Sequence, residues 1–406
     1  MNFQRKILIV LLTFFFTVIP LCFQLATTSQ EIEFAASFVV FFTCFILLFI
    51  NTSNDKGVSQ VSYLELGWWG LVMYLFGKSL FHPQHGFAFI GYLLFFTALF
   101  VLLKRILSAY KESVSVVLLA MVGINLLIYI FFSADSYFSG TGRLVKINIH
   151  NPSVFGVHIA TLTAQIIPLY LYFRPYKPAS RILKWFVFII IVLSLLLLIS
   201  TNSRSGWLGL IIAMLFIFSH KIAGQQVRMA TTYFAVPILL LLFVVLLTYK
   251  PASSSGRLLV YKVSSYIWQD HWLWGIGSGQ FKVEYNQYQA SYFQQEERDV
   301  NEIMLADNTF YAFNDFYQLV LENGLICLVL LLVIVFLGIR QIKNTVVDHQ
   351  NKHLFISAGA SLICVITGGF FSYPLQVIPI LFHVGFNLAL LYSFPIKKKV
   401  GWRIIL

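Results

Sequence analysis

Long apolar runs recur along this chain, and no other feature narrows its fold as much. A helix needs about 20 apolar residues to cross the hydrocarbon core of a bilayer. Runs of that order occur at 7–26, 34–50, 62–81, 86–103, 114–132, 153–173, 185–200, 207–219, 231–248, 319–339, 353–371 and 376–394. The two shortest, 185–200 and 207–219, flank a polar turn at 201–206. Charged residues are 11% of the 406, whereas soluble domains carry about 25%. A soluble enzyme, a disordered chain and a nucleic-acid-binding domain are therefore excluded. The expected fold class is all-α: about 12 transmembrane helices in one polytopic membrane domain over 1–406.

Charge indicates orientation. The net charge is +12, and in a membrane protein its placement matters more than its sum. With the N-terminus inside and the runs alternating, 19 of the 28 Lys and Arg residues fall in inside loops and eight outside. The positive-inside rule then puts both ends in the cytoplasm. The first run reads as an uncleaved helix, because Leu25, Ala26 and Thr27 make a poor signal-peptide cleavage site. Cys22, Cys44, Cys327 and Cys364 lie in apolar runs without a CxxC pair, and read as small buried side chains.

Polar residues concentrate on the other side. The segment 249–317 holds eight of the 16 acidic residues. A loop that long in a compact protein is usually functional, and it is expected to form one large periplasmic loop between the ninth and tenth spans. Helical spacing is present over 258–268. Trp272, Trp274, Phe281, Tyr285 and Tyr288 suggest contact with the membrane surface. Within the runs only Glu65, Lys78 and Glu322 are charged, and no internal repeat is evident. Transporters place ionisable groups near the midplane and often carry repeats. A polysaccharide or lipid transporter is thus the rival from another class, and chemistry at the outer surface is preferred.

Five polar constellations stand out. Arg204 lies in the turn Thr201, Asn202, Ser203, Arg204, Ser205, Gly206; its planar guanidinium suits phosphate oxygens, although such a residue also snorkels to headgroups. Arg257 follows a Ser-rich stretch at a helix start, where free N–H groups add to anion binding. Gly275, Gly277 and Gly279 permit close backbone approach, but no strand precedes them, so they are not a nucleotide fingerprint. Asn314, Asp315, Gln318 and Glu322 share one face of a helix leading into the tenth span. A carboxylate there suits a general base, or the stripe satisfies neighbouring helices. Arg143 and Lys146 precede Asn151 and Pro152, a turn signal, and add positive charge outside. There is no HExxH motif, no placeable Ser–His–Asp or Cys–His set, and no expected metal or cofactor.

In order, these motifs resemble the O-antigen ligase and O-antigen polymerase superfamily of bacterial membrane glycosyltransferases. The resemblance rests on Gly142, Asn151 and Pro152; Thr201, Ser203, Arg204 and Gly206; Gly256, Arg257, Asp270 and His271; Gly275, Gly277, Gly279 and Phe281; Asn314, Gln318, Glu322 and Gly324; and Tyr373, Pro374 and Leu375. It implies a GT-C-like helical fold in the bacterial inner membrane, with the site facing the periplasm. It also implies a glycan donor on undecaprenyl pyrophosphate and an acceptor hydroxyl, without metal or nucleotide. By the resemblance, Arg204 and Arg257 bind the pyrophosphate, with Arg143 and Lys146 in support. Asn314, Asp315 and Glu322 fall at the catalytic motif. The family usually has His-Asn there, whereas this chain has Phe313, Asn314 and Asp315. Phenylalanine takes no proton, so Asp315 is the nearest base, Glu322 the next and His271 the third. Three acceptors fit: lipid A-core, which is favoured, a growing glycan, or a protein hydroxyl.

Overall fold

In a computed structural model, the described residues are 9–17, 63–81, 83–138, 151–172, 178–221, 251–294 and 300–396. Their helices are α1 (Tyr63–Phe81), α2 (Pro83–Ala109), α3 (Lys111–Phe138), α4 (Pro152–Tyr172), α5 (Pro178–Thr201), α6 (Arg204–Lys221), α7 (Pro251–His271), α8 (Phe281–Gln294), α9 (Val300–Leu305), α10 (Asp315–Lys343), α11 (Lys352–Gly369) and α12 (Ile378–Tyr392). Short 3₁₀ turns precede α11 and α12.

The centre of the bundle is the trio α4, α6 and α11. Small residues let these helices meet closely, which is how apolar helices gain packing where lipid offers no hydrophobic drive. A methyl on Gly156 of α4 would sit 2.1 Å from the Ser203 side chain. One on Gly206 would sit 2.6 Å from the Gly156 carbonyl. Polar residues buried in this core bond to one another. His158 Nε2 lies 3.4 Å from His383 Nδ1, Gln165 donates to Asn387 Oδ1 at 2.8 Å, and Asn387 donates to Ser361 Oγ at 3.0 Å.

The expected count of twelve spans is corrected. Among the described residues five helices are long and apolar enough to cross a membrane: 111–133, 152–171, 181–201, 315–343 and 349–369. They correspond to the runs at 114–132, 153–173, 185–200, 319–339 and 353–371. The runs at 207–219 and 376–394 form shorter apolar helices. Those at 62–81 and 86–103 are helical, as α1 and α2, but are not among the five. The runs at 34–50 and 231–248, and most of 7–26, lie outside the described residues. The physical reason is compositional. In a chain this poor in charge, a helix packed inside the bundle reads as apolar as one facing lipid. Helix α12 buries Ile380, Phe382, His383, Phe386 and Asn387 yet is only 15 residues long. The chain remains a polytopic, largely helical membrane protein.

Residues 251–294 and 300–313 share a small core with the start of α10. Leu259, Val263 and Ile267 of α7 pack with Ile276, Phe281, Tyr285 and Leu321. Phe281 and Tyr285 are thus interior, not membrane-surface residues, whereas Trp272 and Trp274 are exposed. An ion pair of 2.7 Å between Lys262 and Glu302 ties α9 to α7.

Candidate functional site

Three helix starts meet at one end of the bundle. Asn151 accepts from the Ser153 N–H at 2.8 Å and Pro152 opens α4, the preferred pairing of cap and first residue. Ser203 Oγ accepts from Gly206 N–H at 3.1 Å and so caps α6. Asn314 Oδ1 accepts from Phe316 and Tyr317 N–H at 3.1 and 3.0 Å and caps α10. Ser203 Oγ also donates to the Ser153 carbonyl at 3.0 Å, and Ser153 and Ser205 hydroxyls lie 2.7 Å apart. These bonds, with the glycine contact above, lock the Arg204 turn onto the start of α4. Asn202 enters the turn at φ 54°, a conformation that Asn tolerates.

Arg204 is the first residue of α6, and its Nη1 donates to Ser254 Oγ at 3.2 Å. Ser254 lies one helical turn before Arg257 on α7. The structure thus brings the two arginines together. Arg257 Nη1 donates to the Phe371 carbonyl at 2.7 Å, and its Cζ lies 5.3 Å from the Phe313 ring centroid. Burial, and then the charge of Arg204, push the Arg257 guanidinium below its usual value; it still stays charged at neutral pH. Around it stand Tyr261, whose hydroxyl donates to the Phe313 carbonyl at 3.4 Å, and Tyr373. Tyr373 stacks on Tyr311 with centroids 4.0 Å apart and meets Phe313 edge-on at 5.7 Å. Burial raises the pKa of all three tyrosines. Two neighbouring guanidiniums beside positive helix ends form an environment that attracts a multivalent anion.

Asp315 is 3% exposed at the first position of α10. Its Oδ2 accepts from Leu375 N–H at 2.8 Å, and its Oδ1 is buried with no partner among the described residues. Arg257 and Asp315 therefore grip the same segment, at Phe371 and Leu375. A buried carboxylate oxygen with no donor has the lone pair that a base requires.

The polar face predicted for 314–322 divides into three tasks. Asn314 is a helix cap. Asp315 turns to Leu375. Gln318 and Glu322 pair with each other, Gln318 Nε2 donating at 3.1 Å. Glu322 also accepts from Gly279 N–H at 2.9 Å and from the Phe281 backbone N–H. Helix α10 breaks at Gly324, where φ is 76° and ψ −178°. The carbonyls exposed by this break are met from outside: Gly277 N–H donates to Glu322 O at 2.8 Å, Ile276 N–H to Leu321 O at 3.1 Å, Tyr74 to Asn323 O at 2.7 Å, and Lys78 to Glu322 O. The three glycines have φ of 70°, 113° and 76°. They and Glu322-x-Gly324 are thus two halves of one junction, fixing the loop to the membrane helix.

Arg143 and Lys146 lie outside the described residues. His271 is exposed at the end of α7. Cys327 and Cys364 are buried and free, as their setting suggested. Sequence reasoning missed the role of Phe313, which sits at φ 54° beneath Arg257. A bulky residue at positive φ is an outlier of the kind that gathers at functional sites, and only the departure from His-Asn drew attention to it.

Fold and site together define a polytopic helical membrane protein with paired arginines and a buried carboxylate at one end of its bundle. Residues 189–332 match the family model described as O-antigen ligase. The match spans Arg204, Arg257, the three glycines and Asn314 to Gly324. No curated protein matches the chain. The match is consistent with a glycan-transfer role of this broad class and a link to lipid-linked glycans.

Proposed function

We propose that the protein moves a glycan from an undecaprenyl-pyrophosphate donor to an acceptor hydroxyl, with lipid A-core the favoured acceptor. The reaction runs at the periplasmic face of a bacterial inner membrane, without a metal. The segment 249–317 lies on that face. The observation that carries the reading is the meeting of Arg204 and Arg257, joined through Ser254 and close enough for one charge to depress the other's pKa. Such like charges repel, and a shared pyrophosphate relieves the repulsion.

The acceptor oxygen attacks the anomeric carbon as the bond from that carbon to the pyrophosphate oxygen breaks. The leaving oxygen keeps the electron pair, and its charge falls on the two guanidiniums. Preorganised charge in a site shielded from water is a strong source of transition-state stabilisation. The hydroxyl proton passes to Asp315, and attack opposite the leaving group inverts the anomeric centre. By the resemblance, Arg143 and Lys146 add to the positive charge that the donor meets outside the membrane.

Reconstitution tests this reading. The purified protein, with lipid-linked glycan extracted from the host strain, is offered lipid A-core, free glycan or periplasmic protein in separate reactions. Mass spectrometry is expected to find transfer to lipid A-core, and loss of undecaprenyl-linked glycan in step. Transfer to protein or glycan alone would overturn the acceptor assignment; no transfer to any acceptor would overturn the enzyme reading.

A further inference from the structure

Away from the arginines, α8 and the irregular stretch after α9 line an open groove of about 580 Å³. Asn286, Gln289, Ala290 and Phe293 line one side, at the spacing of a single helical face, and Asp307 and Asn308 the other. The Asn286 side chain fastens the two walls. Its Nδ2 donates to Asn308 Oδ1 at 2.8 Å, and its Oδ1 accepts from Thr309 N–H at 3.3 Å. Gln289 Oε1 is buried at this groove with no partner among the described residues. A buried acceptor left unmet costs stability unless a ligand or water supplies a donor.

The chemistry of the lining selects a class of ligand. Amides offer both donors and acceptors, Phe293 offers an apolar ring, and no cation lines the groove among the described residues. The nearest lysine of α8, Lys282, lies instead over the Phe310 ring at 4.0 Å. Among the described residues one carboxylate, Asp307, lines it, and it accepts from Asn308 N–H at 2.7 Å. This set disfavours an anion and suits an uncharged, hydroxyl-rich one. The volume falls within the range of small-ligand sites. Asn308 is five residues from Phe313, so fully extended chain sets a limit of about 18 Å between them. The groove therefore lies within a few sugar residues of Arg257.

We propose that this groove is a binding site for neutral sugar residues of a glycan chain, distal to the pyrophosphate. The proposal rests on the glycan-transfer reading for the identity of that chain. It makes the extramembrane segment a second point of attachment, which favours donors whose glycan is long enough to span both.

The test uses the full chain in lipid nanodiscs. The probe is glycan released by mild acid from the host strain's lipid-linked pool, so that it carries no pyrophosphate. Saturation-transfer NMR is expected to show binding to the native protein. Ala290→Trp, which fills the groove from an exposed position, should weaken it at least tenfold, and Gln289→Ala should weaken it too. Arg257→Ala should leave it unchanged. In transfer assays Ala290→Trp should raise KM for the long-glycan donor, while a donor bearing one sugar is used as by the native protein. The proposal is overturned if the native protein does not bind the released glycan, or if both groove variants bind it normally. Normal transfer by Arg257→Ala, with glycan binding still lost in Ala290→Trp, would instead overturn the catalytic reading alone.

Discussion

Arg257 lies over the face of Phe313, its guanidinium carbon 5.3 Å from the ring centroid, and donates past it to the Phe371 carbonyl at 2.7 Å. The aromatic side chain thus gives the guanidinium a flat support. It adds no charge, yet it orients the fork of donors and favours the charged form. Arg257→Lys should not restore what Arg257→Ala loses. An ammonium keeps the charge but not the planar fork or the stacking. Removing a preorganised donor to a developing charge costs about 100- to 1000-fold in rate. A quantitative transfer assay on protein of matched expression checks this, and a lysine variant with near-native kcat would contradict it.

Phe313→Leu keeps the bulk and loses the π face. Exposed to partly buried cation–π contacts contribute about 0.5–2 kcal/mol, so KM for the donor should rise roughly 2- to 30-fold with a smaller change in kcat. The positive φ remains, so the thermal midpoint should move little. An unchanged KM would mean that the ring does not support Arg257 in the working enzyme.

Asp315→Asn should remove the base while keeping the bond to Leu375, since the amide oxygen still accepts from that N–H. General-base contributions are about 100- to 10,000-fold. The native enzyme should also lose activity as pH falls and the carboxylate takes up a proton. The asparagine variant should have a low, flat profile over the same range. A variant with full activity would remove Asp315 from the mechanism and turn attention to Glu322.

Gly324→Ala tests the junction rather than the chemistry. A methyl there would lie 2.1 Å from the Leu273 carbonyl oxygen, at φ 76°. Positive φ alone costs a non-glycine residue about 1–3 kcal/mol, and the backbone clash adds to it. The expected outcome is loss of folded protein, seen as aggregation on size exclusion in detergent. Glu322→Gln should be milder, placing an N–H₂ among donors at a net cost of about 1–3 kcal/mol. Its activity loss should follow its stability loss in a thermal-shift series; activity lost at native stability would give Glu322 a direct chemical role.

Much of the local structure was legible in the residues. Asn151-Pro152, Ser203 and Asn314 are capping residues by type, and each caps a helix. Arg204 and Arg257 were visible because cations are scarce on the side they were assigned to. What was hidden depends on docking between distant segments. Nothing in Gly324 alone announces that Gly275 must pack against its turn, or that Lys78 and Tyr74 meet its freed carbonyls. Phe281 and Tyr285 looked like membrane-surface aromatics, since composition does not distinguish a lipid interface from a small protein core. The count of spans failed for a related reason: apolar runs measure exclusion from water, which bundle interior and lipid satisfy alike.

The central claim is that Arg204 and Arg257 hold one pyrophosphate between them. Binding of undecaprenyl pyrophosphate to the protein in nanodiscs, measured for the native chain, both single alanine variants and the double variant, tests it most directly. Each single substitution should weaken binding at least tenfold. The two effects should be non-additive by about 0.5–3 kcal/mol, as for groups that share a partner. Undecaprenyl pyrophosphate bound by the double variant as tightly as by the native chain would contradict the account.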